Sequence, residues 1–151
     1  MFKSKISNLE SFNPNEKRDD RILLFKMMIK CADVSNPTKE MSIYDGWTRL
    51  ITQEFMAQGD RERGLGLPIS PYMDRENVNV PSCQVGFIDY VVSPLFDAFD
   101  KYIAIPNIKK RMASNREYWG DLKNAGVTLF SKDDDPMAGI DGASRQMSRK
   151  A

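Results

Sequence analysis

The chain has 151 residues, 41% apolar and 28% charged, with a formal net charge of +1. That is enough apolar material for one modest core, or for part of a larger one. A balance this near neutrality, with no basic stripe interleaved with aromatics, argues against nucleic acid and anionic membrane as partners. The sequence contains no histidine, so it lacks the commonest metal ligand and the commonest general acid or base.

Residues 1–19 are polar and carry the turn signal Asn13-Pro14-Asn15, which predicts a loose lead-in. Asp20 to Ala32 is apolar at nearly every step (Ile22, Leu23, Leu24, Phe25, Met27, Met28, Ile29, Cys31), as in a helix buried on most sides. This stretch is too short to span a bilayer and contains Lys26. Ser35-Asn36-Pro37-Thr38 ends it as a turn. Tyr44, Trp47, Ile51 and Phe55 recur at three- and four-residue steps and predict a second helix from Ser42 to Gln58, with Gly59 as its stop. Asp60-Arg61-Glu62-Arg63 gives at most another turn, its charges read as solvated, and Gly64, Gly66, Pro68 and Pro71 predict a loop after it.

A third helix is expected from about Pro81-Ser82, carrying Val85, Phe87, Ile88, Val91 and Val92. Pro94 must kink or interrupt it, because proline lacks a backbone donor and clashes with the preceding turn. Leu95, Phe96, Phe99, Tyr102 and Ile103 continue the apolar face, and Asn107 is placed to cap a last helix reaching Leu122, with Met112 and Trp119 inward. Residues 123–151, with Asp133-Asp134-Asp135-Pro136 and then Gly, Ser, Arg and Lys, read as a disordered tail. No strand pattern persists, so the fold class is all-α. Cys31 and Cys83 have no framework spacing and no secretory signal is evident, which points to a reducing, cytoplasmic setting.

Two polar residues stand out against this apolar pattern. Asp33 follows the hydrophobic helix, at the end where backbone carbonyls already concentrate negative potential. It either closes an Asx-type turn onto Ser35 or Asn36, or meets a bound cation; the turn is the simpler reading, since one carboxylate is a weak metal signal. Gln84 sits in the first turns of a helix among Val85, Phe87 and Ile88. Its amide either satisfies open N–H groups at the helix start or reads the edge of a planar ligand, with the Phe87 ring one turn on as a stacking surface. Gly64-Leu65-Gly66 is no phosphate loop, because no Lys-Ser or Lys-Thr follows it.

Taken as strings, Lys30-Cys31-Ala32-Asp33-Val34-Ser35-Asn36-Pro37, Glu54-Phe55 through Gln58-Gly59-Asp60 to Leu67-Pro68-Ile69-Ser70-Pro71, Ser82-Cys83-Gln84-Val85-Gly86-Phe87-Ile88-Asp89-Tyr90 and Asn115-Arg116-Glu117-Tyr118-Trp119 occur in order. With that spacing, residues 20–122 resemble the C-terminal part of the catalytic domain of class I 3',5'-cyclic-nucleotide phosphodiesterases, closest in look to the cAMP-hydrolysing branches. The resemblance implies a helical catalytic domain in which Asp33 completes a metal site and Gln84 hydrogen-bonds the purine edge. It also implies that Phe87 and Ile51 clamp the base, that Asn36 lies on the adenine side, and that Trp47, Thr48, Phe55 and Tyr72 line the pocket, Tyr72 standing where a methionine is common.

In the complete family enzyme, two divalent ions (zinc with magnesium or manganese) activate a bridging water that attacks phosphorus, and a histidine protonates the departing 3′ oxygen. The motifs that supply the histidine ligands, the second aspartate and that acid are missing here. The resemblance therefore implies a chain inactive alone, with a cyclic nucleotide as substrate and the N-terminal half of the catalytic domain as partner. A short non-catalytic module that binds nucleotide or regulates a partner is the alternative. Because the Gln84 amide can turn over, the sequence leaves cAMP and cGMP both open.

Overall fold

The computed structural model describes residues 11–128, and every regular element among them is helical. The lead-in before Ser11 and the tail beyond Thr128 lie outside the described residues. Helix α1 (Arg18–Asp33) starts just before the apolar run, with Asp19 and Asp20 in its first turn, where negative charge suits the helix dipole. Asp20 is buried and accepts the Asn13 backbone N–H at 3.0 Å, and Phe12 packs edge-on to Tyr102 with centroids 5.2 Å apart. The described part of the lead-in is thus pinned to the bundle.

One face of α1, with Leu23, Leu24 and Met27, packs around Phe12 and Ala98. The rest differs from the expectation of a helix buried on most sides. Phe25, Met28 and Ile29 are exposed, Ile29 to 70%, so an apolar face stays open. The run of apolar residues is real, but among the described residues only one side of it finds a neighbour.

After the single-turn helix Asn36–Thr38 comes α2 (Met41–Gly64), six residues longer at its C-terminus than the sequence suggests. Gly59 does not stop it. A Cβ there would run into the Met73 carbonyl oxygen, so glycine lets the returning loop lie against the helix. Asp60 to Arg63 forms the further helical turn that the sequence allows, but its charges are not simply solvated: they fasten that loop. Glu62 accepts the Ser70 N–H at 2.7 Å and its hydroxyl at 2.9 Å, while Arg63 pairs with Asp74 and Arg75 with Asp60, each at 2.6 Å.

Asn79 caps α3 (Val80–Phe87) by accepting the Ser82 N–H at 2.8 Å. The interruption expected at Pro94 is a widened π turn over Ile88–Val92, in which the Ser93 N–H reaches back to the Ile88 carbonyl. The wide turn lets Pro94 fall in the first turn of α4 (Ser93–Asp100), where its missing N–H costs no helical bond. Asn107 is not the cap of the last helix, α5 (Pro106–Asn124). Pro106 occupies the first turn, and the Asp100 carboxylate takes the Ile105 N–H at 2.8 Å. The core gathers Tyr44 of α2, Val85 of α3, Ile88 and Val92 of the π turn, Phe96 of α4, and Met112 and Trp119 of α5.

Two glycine substitutions in α2 should part company in urea denaturation. Gly46 has nothing within 4 Å of an added Cβ, so Gly46→Ala is expected to stabilise by about 0.5–1 kcal/mol. Gly59→Ala should destabilise by about 1–3 kcal/mol, because the loop backbone must move. A neutral Gly59→Ala would mean that the loop does not lie on α2.

Candidate nucleotide-recognition site

The first turn of α2 buries Tyr44 to 1% exposure, with its ring edge-on to Trp119 of α5 at 6.0 Å. A phenol hydroxyl so placed needs a partner. It donates to Oε1 of the half-buried Gln84 on α3, at 2.7 Å. Burial pushes the Tyr44 phenol far up, hydrogen bonding with Trp119 opposing in part, so the hydroxyl remains a protonated donor across the physiological range. In this arrangement Oε1 of the amide faces Tyr44, and Nε2 occupies the opposite prong. Phe87, one turn further along α3, is half-buried against the core cluster.

Asp33 is the last residue of α1 and is exposed. The half-buried Asn36 opens the single-turn helix that follows, where its carbonyl accepts the Lys39 N–H at 3.0 Å. That turn is held from α5. The Asn115 side-chain amide, 3% exposed, donates to the Pro37 and Lys39 carbonyls, at 2.8 Å each. In the adjacent position Arg116 grips Asp89 of the π turn through two hydrogen bonds of 3.0 and 2.8 Å.

Trp47, Ile51 and Phe55 share an exposed face of α2. Thr48 does not join them. It is buried one turn after Tyr44, and its hydroxyl is already used on the Tyr44 carbonyl at 2.9 Å. Tyr72 stands on the loop, 70% exposed, and is the one described non-glycine residue with positive φ, at 69°. Two residues of the site, Tyr44 and Asn115, are not singled out by sequence reasoning. Tyr44 reads there as one more member of an apolar stripe, although its hydroxyl sets it apart from Trp47 and Ile51. Asn115 has no signal beyond its place in a motif.

Residues 1–114 match the family described as 3'5'-cyclic nucleotide phosphodiesterase. The chain belongs to that family. It is 43% identical over 106 residues, 69% of this chain and 16% of the relative, to "Probable 3',5'-cyclic-AMP phosphodiesterase pde-4" of Caenorhabditis elegans. Identity is 39% over 105 residues, 69% of this chain and 13% of the relative, to the mouse "High affinity cAMP-specific and IBMX-insensitive 3',5'-cyclic phosphodiesterase 8A". The solved structure of LmjPDEB1 in complex with IBMX superposes with a TM-score of 0.74 at 28% identity, over 82% of this chain and 37% of that one. The chain spans less than a fifth of these two curated relatives, 16% and 13% of their lengths.

A metal centre does not fit the described residues. No group of three or more His, Cys, Asp or Glu side chains converges among them, and Asp33 alone is too few ligands for zinc or magnesium. None of the helices among the described residues is long and apolar enough to cross a membrane.

The Arg116–Asp89 pair gives a pH-dependent handle on how α5 is held. Hydrogen bonding and charge from Arg116 keep the Asp89 carboxyl below the usual carboxylate range. A lowered folded value stabilises above the ordinary carboxylate pKa, and that contribution is lost as pH falls through the lowered value. Both side chains are partly exposed, so screening limits the pair to about 0.5–1 kcal/mol. Asp89→Asn should therefore cost that much at pH 7 in urea denaturation and progressively less as pH falls below the ordinary carboxylate range. A cost independent of pH would assign the effect to packing instead.

Proposed function

We propose that this chain forms the base-recognition side of a phosphodiesterase that hydrolyses 3',5'-cyclic AMP to the 5'-monophosphate in cyclic-nucleotide signalling. The observation that carries this reading is the Tyr44–Gln84 hydrogen bond. Adenine offers a donor at its six position and an acceptor at the neighbouring ring nitrogen, whereas guanine reverses both. A freely turning amide serves either base, but one whose Oε1 is fixed by a buried phenol presents a single order of acceptor and donor. The cAMP-specific names of the relatives support adenine as the matching base.

In this reading Phe87 and Ile51 clamp the base, Asn36 adds a contact on the adenine side, and Trp47, Phe55 and Tyr72 border the pocket. Thr48 contributes by steadying Tyr44, since its own hydroxyl is engaged. Asp33 is a single ligand toward the pair of divalent ions that the family implies, zinc with magnesium or manganese. When bound, such ions supply an activated water and neutralise phosphate charge. No step of that chemistry is assigned to these residues, which do not make a metal site by themselves. The open apolar face of α1, with Phe25, Met28 and Ile29, suits packing against the remainder of the catalytic domain. Two cysteines outside any disulfide fit a cytoplasmic enzyme.

The test has two arms. The purified 151-residue chain, given zinc and magnesium, is expected to turn over no cAMP. A chimera that joins the chain to the histidine-bearing N-terminal half of a relative's catalytic domain is expected to hydrolyse cAMP. Within it, Asp33→Ala should lower metal content and activity together. Gln84→Ala should keep the metals and raise KM, since loss of paired hydrogen bonds costs about 1–3 kcal/mol. A chimera that stays inactive with metals bound would overturn the proposal, and a Gln84→Ala chimera that loses its metals would overturn the division of roles.

A further inference from the structure

The match to the phosphodiesterase family ends at residue 114, one position before the buried Asn115. Asn115 spends both of its amide N–H groups on the Pro37 and Lys39 carbonyls, reaching across 78 and 76 positions of sequence. Those two carbonyls flank Thr38 and belong to the turn that Asn36 opens. One turn along the same helix, Trp119 packs on Tyr44, whose hydroxyl orients Gln84. The intervening Arg116 ties that stretch of α5 to the π turn just beyond Phe87. Helix α5 thus holds both polar groups of the proposed pocket from behind: Asn36 through Asn115, and Gln84 through Trp119 and Tyr44.

We propose that Asn115 is a positioning residue for base selection, which fixes the Asn36 turn at a set distance and angle from the Gln84 amide. The inference rests on the nucleotide-binding reading above and adds a residue that touches no ligand. Its chemistry is specific. Two carbonyl oxygens converge on one side chain, so the side chain must supply two donors, and the neutral amide does so without bringing a charge into the core. An aspartate of the same shape would offer oxygens to oxygens. The turn would then move away and take Asn36 out of reach of the base, while the Tyr44–Gln84 bond stayed in place.

The experiment uses the chimera described above with the substitutions Asn115→Asp and Asn115→Ser, the second keeping a single donor on a shorter arm. kcat and KM are measured for cAMP and cGMP with each variant, together with bound metal. The proposal expects a higher KM for cAMP and a ratio of kcat/KM, cAMP over cGMP, that falls roughly tenfold in Asn115→Asp and less in Asn115→Ser, the scale set by one hydrogen bond between base and pocket. A residue that merely supports the fold would lower the active fraction. That reduces kcat for both nucleotides by one factor and leaves both KM values and the ratio unchanged, an outcome that overturns the proposal. KM and the ratio do not depend on the folded fraction, so either variant that retains measurable turnover decides the matter. A wild-type chimera that binds metal but hydrolyses neither nucleotide would instead remove the proposed function, and this inference with it.

Discussion

A buried phenol cannot leave its hydroxyl unpaired without losing about 1–3 kcal/mol, and Tyr44 meets that demand through Gln84. The arrangement around this bond follows from it. Trp119 sets the ring of Tyr44 from α5, Thr48 returns a hydrogen bond to its carbonyl, and Val85 and Ile88 seal the apolar surroundings on the α3 side. In the proposed function the phenol holds the Gln84 amide, at the edge of the core, before any ligand arrives. Preorganisation of this kind lowers the ordering cost of binding and makes a wrong partner expensive.

Helix α5 ties together three separate parts of the bundle. Its N-terminus is anchored by Asp100, which takes the Ile105 N–H and meets Lys109 at 3.3 Å. Further along, Asn115, Arg116 and Trp119 face three different neighbours: the Asn36 turn, the π turn and Tyr44. The π turn itself has a local cause in Pro94, and it places Asp89 within reach of Arg116. A proline that a sequence reader registers as an interruption thus also sets the register between the helix bearing Gln84 and the helix that supports it.

Much of this can be read in the sequence, and the exceptions share a cause. Apolar periodicity marks the helices, and the inward positions of Met112 and Trp119 follow from it. The order and spacing of the first three segments, all within residues 1–114, mark the family, and the fourth lies just beyond the match. Pairings between distant segments are not legible. Gly59 resembles a helix stop until the Met73 carbonyl is seen against it, and the charges of Asp60 to Arg63 look solvated until the loop folds back onto them. Asn107 resembles a cap until Asp100 reaches the helix start first. Thr48 adjoins Trp47 in sequence and reads with it as a candidate, yet the helix backbone claims its hydroxyl. Tyr44 and Gln84 lie 40 positions apart, a pairing that periodicity within one helix cannot register.

The measurement that bears most directly on this account is the nucleotide preference of Tyr44→Phe in the chimeric enzyme. The substitution removes one oxygen and keeps the ring against Trp119. The account predicts that the Gln84 amide, released from its partner on α2, turns to serve either base, so that cGMP is hydrolysed more efficiently and the preference for cAMP shrinks toward parity. A Tyr44→Phe enzyme that keeps the full cAMP preference would show that the phenol does not set the amide, and would contradict the account at its centre.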